Sequence, residues 1–287
     1  MKKRKKFDWG YLLLIPGIGY IGFFVIISAY VMISQSFGLY NAITGEVAFT
    51  LESWKNVLDK SFFDSLWFTL QISIVVSLVS IAITYPLALL LQKSKARKWL
   101  LPLIKIPYFI PGLVGSFLIV NLIDYHGLLN EVLILLKIIK EPMRLRNDAN
   151  GIAVIIIHIW KNVPFMMIIM FSAIEGVRQD IKDCARNLGA NSLKVLWHIT
   201  LPLTVSSALV SVILTFIRTF NDYAISSTAG PMYPLSLSNL MKTTAYTYDD
   251  WTTAGCIGVL MTIVTVIFMV LYTILGKYLK QGGSKDA

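Results

Sequence analysis

Lys161, Arg218 and Asp222 are ionisable residues set inside long apolar stretches of this 287-residue chain. Such groups are costly within a membrane unless they face a cavity or one another. The chemistry open to them is charge pairing and the solvation of a passing polar solute. Beside Arg218 and Asp222, the hydroxyls of Ser207, Ser211, Thr215 and Thr219 recur every four residues, on one face of a helix. Small hydroxyl residues let membrane helices pack closely; the same stripe also suits a wall of a solvated translocation path. The ionisable neighbours favour the path, with Lys161, Ser211, Thr215, Arg218, Thr219 and Asp222 as its candidates. Arg218 and Asp222 stand at i and i+4, so a simple ion pair is the competing account. A second stripe, Thr69, Ser73, Ser77, Ser80 and Thr84, has no charged companion and suits packing better. Lys161 precedes Asn162 and Pro164, and a proline there frees a carbonyl one turn back and can bend the helix.

Covalent chemistry is poorly provided for. The chain has no GxxxxGK[ST] phosphate loop, no HExxH and no GxSxG, and His126, His158 and His198 lack metal-ligand spacing. The two cysteines, Cys184 and Cys256, fall on opposite sides of the expected membrane and cannot pair. The expectation is a protein that is not an enzyme and holds no metal or cofactor of its own.

The elements that must position these residues are membrane spans. The sequence is 56% hydrophobic and 15% charged, against about 25% charged in soluble domains. Six apolar runs, near 11–36, 64–92, 100–123, 151–174, 201–225 and 252–279, reach the roughly 20 residues needed to cross a bilayer. The fold class expected is all-α, a polytopic membrane protein with six transmembrane helices. The run after the basic stretch Lys2–Lys6 is too long for a signal peptide and reads as an uncleaved first span. Pro102, Pro107 and Pro111, with Gly112 and Gly115, make the third span irregular.

Lys and Arg set the orientation. With the N-terminus inside, sixteen basic residues fall in inner segments (Lys2–Lys6; Lys93, Lys95, Arg97, Lys98; Arg178, Lys182, Arg186, Lys194; Lys277, Lys280, Lys285) and seven in outer loops. Both termini are expected in the cytoplasm. The net charge of +10 is then largely topology, and no nucleic-acid partner is needed. On the outer side, Asp249, Asp250 and Trp251 precede the last span, as an interfacial belt or as aromatics and carboxylates suited to a cation.

Between the fourth and fifth spans lies a polar segment, DCARNLGANSLKVLWHITLP, from Asp183 to Pro202. Ile181, Cys184, Ala185 and Leu188 form one apolar stripe on a short helix. Gly189 stands where a residue with positive φ ends such a helix. Asn191 or Ser192 can cap a second helix over 193–198, and Pro202 is tolerated in the first turn of the next run. A helix–glycine–helix elbow at a membrane surface is a docking part.

This segment resembles the cytoplasmic loop of permease subunits in binding-protein-dependent ABC importers. The family pattern is Glu-Ala-Ala, three residues, Gly, about nine residues, then Ile-x-Leu-Pro. Ala185, Gly189, Ile199, Leu201 and Pro202 match it; Asp183 replaces glutamate and Cys184 replaces alanine. TYPLALLL (84–91), IPYFIPGLVGSF (106–117), GLLNEVL (127–133) and STAGP (227–231) look like the spermidine/putrescine-type branch, while the tail also passes for the sugar-type branch. The resemblance implies a type I importer transmembrane domain. Residues 1–60 would form a tail, an extra first helix and an outer connector. Residues 61–280 would form a five-helix core with its coupling loop at about 178–202.

It further implies a cytoplasmic ABC ATPase dimer that docks on Asp183, Cys184, Ala185, Gly189, Ile199, Leu201 and Pro202 and carries the ATP and Mg. The other implied partners are a second permease subunit, paralogous to this one, and an extracytoplasmic solute-binding protein, in a bacterial-type inner membrane. A polyamine is the expected solute and a sugar the alternative. A secondary transporter would show symmetry between its halves, which this chain lacks.

Overall fold

The computed structural model describes residues 10–40, 45 and 48–282. The basic run Lys2–Lys6, and Lys285, lie outside the described residues. Every regular element among the described residues is helical. In order these are α1 (Gly10–Ser36), α2 (Glu52–Asn56), α3 (Lys60–Lys93), α4 (Arg97–Phe109), α5 (Gly112–Ile123), α6 (Leu128–Leu135) and α7 (Ile152–Glu175). Then follow α8 (Gln179–Asn187), α9 (Ser192–Val195), α10 (Leu201–Phe220), α11 (Ala224–Ala229), α12 (Leu237–Tyr246) and α13 (Trp251–Gly282). Six stretches are long and apolar enough to cross a membrane: Pro16–Ser36, Lys60–Lys93, Gly112–Leu135, Ile152–Glu175, Ser192–Phe220 and Trp251–Gly276. The all-α, six-span architecture expected from the sequence is the one observed.

By packing, the chain divides into Met1–Asp59 with Met241–Leu260, and Lys60–Leu240 with Met261–Ala287. In the first unit, the start of α13 lies against the end of α1. Cys256 Sγ donates to the Ser36 carbonyl at 3.3 Å, and a Cβ on Gly255 would come within 2.9 Å of the Ser36 nitrogen. Asp250 Oδ1 caps α13 by accepting from Thr253 N at 2.9 Å, and Asp249 accepts from Trp251 Nε1 at 3.1 Å. Both carboxylates are thus engaged at the helix start.

The larger unit is built on α3, α7 and α10. Phe68, Ile72 and Val76 of α3 meet Val154 and Ile157 of α7, with Ile225 and Ala229 of α11 closing one end. Towards the other end, Ala88 and Leu91 pack on Met167, Met170 and Ile174. The α3 hydroxyl stripe runs through this contact. Thr69, Ser73, Ser77, Ser80 and Thr84 are all buried. Thr69, Ser73 and Ser77 donate to carbonyls four residues back at 2.6–2.7 Å. Small side chains that satisfy themselves on their own helix leave room for a neighbouring backbone. The run expected as the third span, near 100–123, is not one helix: α4 stops at Phe109, Ile110 is extended and α5 restarts after Pro111, so the third membrane-length stretch is Gly112–Leu135 instead.

Candidate functional site

Two places carry the residues singled out above. The first is the elbow. Gly189 has φ of +88°, where side chains with a Cβ are strained. Its N–H donates to the Arg186 carbonyl at 2.9 Å, and that of Ala190 to the Ala185 carbonyl at 3.0 Å. That double closure is the Schellman arrangement, which satisfies the last carbonyls of α8. Asn191 Oδ1 then accepts from Lys194 N at 2.8 Å and caps α9. The chain continues through a π-helical turn, Leu196–Thr200, directly into α10, with Pro202 in its first turn. The second elbow helix and the fifth span are therefore one interrupted rod.

The elbow's apolar stripe faces outward. Leu188 is 89% exposed and Leu193 62%, and Ile181 and Cys184 are exposed as well. The residue turned inward is Lys182, 5% exposed. Burial, and then the charges of Arg186 and Lys93, hold its ammonium below the usual lysine pKa. On the outer face Asp183 is held within its own helix. Its Oδ1 accepts from Gln179 Nε2 and from Arg186 Nη1, each at 2.9 Å. Ala185, Ile199 and Leu201 are half-buried, while Gly189 and Pro202 are exposed.

The second place lies where α7, α10, α11 and the α4–α5 break converge. Lys161, buried on α7, donates through Nζ to the carbonyls of Ile110 and of Pro107, the latter at 3.3 Å. In an unbroken helix the Pro107 carbonyl would accept from residue 111, which is proline and has no N–H. Lys161 supplies the missing donor. Gly115 allows the approach, since a Cβ there would sit 3.0 Å from the Trp160 ring and 3.6 Å from Lys161 Cδ. Asn162 donates to the His158 carbonyl at 2.9 Å and lies 3.5 Å from Thr219 Oγ1.

Arg218 and Asp222 do not pair among the described residues. The expectation of an i, i+4 contact assumed one continuous helix, but α10 ends at Phe220. Asp222 lies beyond it and caps α11 instead, accepting from Ile225 N at 2.8 Å and Ser226 N at 3.4 Å. Its Oδ2 is 3.8 Å from Nε2 of the buried His158, beyond hydrogen-bond reach. Arg218, on the exposed side, lies over two rings: Phe165 at 4.5 Å and Tyr108 at 5.7 Å. Ser211, Thr215 and Thr219 are buried within this subunit, at 0%, 0% and 3% exposure. The hydroxyl face of α10 is thus the face that packs inward. Of the path candidates, the structure groups Lys161, Thr219 and Asp222 around His158 and Asn162, and sets Arg218 apart on an aromatic shelf. His158 is not singled out by metal-ligand spacing; the signal that the sequence does carry is its place inside a span, three and four residues before Lys161 and Asn162.

A six-span helical unit that presents a capped, outward-facing apolar elbow beside its fifth span has the form of an importer's membrane subunit. The chain matches the binding-protein-dependent transport system inner membrane component family over residues 80–282, and it belongs to that family. It is therefore an ABC importer permease subunit of an inner membrane. It is 25% identical to the spermidine/putrescine transport system permease protein PotB of Escherichia coli (strain K12), over 91% of this chain and 95% of that one. It is 23% identical to the trehalose/maltose transport system permease protein MalF of Thermococcus litoralis, over 96% of each. Among solved structures, the fold matches a bacterial ABC transporter involved in the import of the acidic polysaccharide alginate. That match has a TM-score of 0.73 at 17% identity and covers 93% of this chain and 96% of the other.

Proposed function

We propose that this subunit forms half of a path for a polyamine of the spermidine/putrescine kind, or a similar small solute, and is driven by ATPase subunits docked on the elbow. Hydrolysis of ATP, with its Mg, belongs in this reading to two cytoplasmic subunits, and a second, paralogous permease completes the path. An external binding protein delivers the solute, and the elbow and both termini face the cytoplasm. Residues 1–60 and 61–280 keep the roles of accessory helix and core.

The observation that carries the coupling role is the exposure of Ile181, Leu188 and Leu193 on a self-capped elbow. An amphipathic helix with its apolar side out has a face for a partner to cover. Asp183, Cys184, Ala185, Gly189, Ile199, Leu201 and Pro202 are the docking residues in this reading. Support for the solute comes from the polyamine permeases that the chain resembles over nearly its whole length. The trehalose/maltose relative favours a sugar as the second reading. For the path, Arg218, Tyr108 and Phe165 offer an exposed surface to a second permease. Lys161, Asp222, Ser211, Thr215 and Thr219 brace that surface from within.

The test is uptake by the assembled importer in liposomes with ATP supplied on the elbow side. Spermidine or putrescine should accumulate only with ATP and binding protein present. Accumulation of trehalose or maltose, without competition from either amine, would replace the first reading by the second. An impermeant thiol reagent applied from outside should label a cysteine placed at Lys242 and spare one placed at Ser192; the reverse would overturn the orientation.

A further inference from the structure

Between the elbow and the ends of α3, α4 and α7, with Leu193 of the elbow at its wall, lies a cavity of about 960 Å³, near the top of the range for small-ligand sites. Five basic side chains and one carboxylate line it: Lys93, Arg97, Arg178, Lys182, Arg186 and Glu175. The arginines have partners. Arg97 meets Glu175 at 2.6 Å, Arg186 meets Asp183 at 2.9 Å, and Arg178 meets Asp180. Lys182 has neither a hydrogen-bond nor an ion-pair partner among the described residues, although it is 95% buried. Burial disfavours its ammonium, Arg186 and Lys93 disfavour it further, and Asp183, already engaged by Gln179 and Arg186, is the smallest influence and the one favourable charge.

We propose that this cavity binds a phosphate group, supplied by the headgroup of an anionic phospholipid. An anion seated there would offset the charges of Lys182 and Lys93 together. The location favours lipid as the source. Three helices meet the cavity at their ends: α3 closes at Lys93, α4 opens at Arg97 and α7 closes at Glu175. Two of the three are membrane spans, so the cavity lies at headgroup level. Trp99, two residues beyond Arg97, is 79% exposed, as an aromatic anchor at a membrane interface would be. Basic pockets between spans are where anionic headgroups bind. Ile181 and Leu188, the α8 part of the face offered to the ATPase, are not among the residues that line the cavity, and of Ile181, Leu188 and Leu193 the two sites share Leu193 alone.

The inference rests on the elbow lying at a membrane face, as in the proposed function, but not on the identity of the solute. The test uses the full chain, assembled with its partner subunits in neutral detergent and titrated with dihexanoyl phosphatidylglycerol, dihexanoyl phosphatidylcholine, glycerol 3-phosphate and inorganic phosphate. Saturable binding of the phosphatidylglycerol is expected, weakened about five- to tenfold in Lys182→Gln and restored in Lys182→Arg. The phosphatidylcholine should bind no better to the wild type than to Lys182→Gln. Equal affinity for glycerol 3-phosphate or inorganic phosphate would keep the phosphate site and assign it to a soluble anion. Identical titrations of wild type and Lys182→Gln, with both variants melting at the same temperature, would overturn the site. ATPase co-purification scored on the same samples separates that failure from a failure of the coupling role.

Discussion

The elbow and the polar cluster of α7 and α10 are inverted with respect to each other. In the elbow the apolar residues Ile181, Leu188 and Leu193 are exposed, and a lysine, Lys182, is buried. In the spans the polar residues His158, Lys161, Asn162, Ser211 and Thr215 are buried, and the outer surface is apolar. The second pattern is what a bilayer demands, because polar groups that face lipid are costly and must be satisfied inside. The first is stable only if something else covers the exposed side. One region is folded into the subunit, with His158 Nε2 and Thr215 Oγ1 left without a hydrogen-bond partner among the described residues, and the other is shaped for a partner. Substitutions in the elbow should therefore damage assembly and spare insertion, whereas substitutions in the cluster should damage the subunit itself.

The sharpest way to break this contrast is Gly189→Pro. Proline fixes φ near −65° and has no N–H, so neither the +88° backbone nor the donor to Arg186 survives. The variant should insert in the membrane at wild-type levels and lose ATPase co-purification and solute-stimulated hydrolysis completely. Deletion of 183–190 should do the same. Retained assembly in both would show that the elbow is not where the ATPase docks.

Next in size is Lys161→Met, which keeps the apolar stem and removes the donor to Pro107 and Ile110. Leaving buried carbonyls unpaired costs about 1–3 kcal/mol. Here the loss should appear as lower yield and a lower melting temperature of the isolated subunit, with ATPase docking retained by the fraction that folds. A variant as stable as wild type would mean that the break between α4 and α5 closes without Lys161.

Smaller again is the effect at Arg218 and Asp222, whose spacing alone would allow an ion pair. Asp222→Ala removes the cap of α11, worth about 1 kcal/mol. Arg218→Gln removes a cation from the Phe165 and Tyr108 rings, worth about 0.5–1 kcal/mol at an exposed site. Because the two side chains have separate partners, the stability losses of the double variant should add to within about 0.5 kcal/mol. Rescue of one change by the other would restore the ion pair that the broken helix excludes. If Asp222 also guides a cation, Asp222→Asn should lower amine uptake more than it lowers subunit stability.

Much of this was legible in the chain. Five of the six spans follow from the length and polarity of the runs, the third being displaced from about 100–123 to Gly112–Leu135 by the break after Phe109, and Gly189 and Asn191 mark their caps by residue type. What could not be read was direction. Spacing shows that Ser211, Thr215 and Thr219 share a face, but not whether that face meets a cavity or a neighbouring helix; α3 and α7 decide it. The same holds for α8, whose stripe was plain and whose outward turn was not. The place of Asp222 outside α10 is not legible in sequence, because nothing at Asn221 or Tyr223 marks a helix break: neither is glycine or proline, and α10 ends at Phe220 while Asp222 Oδ2 accepts from Ile225 N of the next helix. Lys182 reads in sequence only as one more basic residue of an inner segment, since the residues that share its cavity, Lys93 and Arg97 among them, are distant in sequence.

The smallest effect is expected at Asp183, where the family pattern has glutamate. A basic residue on the ATPase is its obvious partner from sequence, but within this chain its Oδ1 already accepts from Gln179 and Arg186. The pair with Arg186 spans i and i+3 on an exposed helix, with side chains 52% and 43% exposed, and such pairs are worth about 0.2–0.5 kcal/mol. Asparagine keeps an oxygen for the same two donors and loses only the charge. Asp183→Asn should therefore lower solute-stimulated ATP hydrolysis by less than about twofold, with a weaker effect still in high salt, where exposed charges are screened. A tenfold fall would require the carboxylate to leave Arg186 on assembly and meet a desolvated cation of the ATPase. In that case Arg186→Gln, which frees Asp183 in advance, should raise hydrolysis rather than lower it.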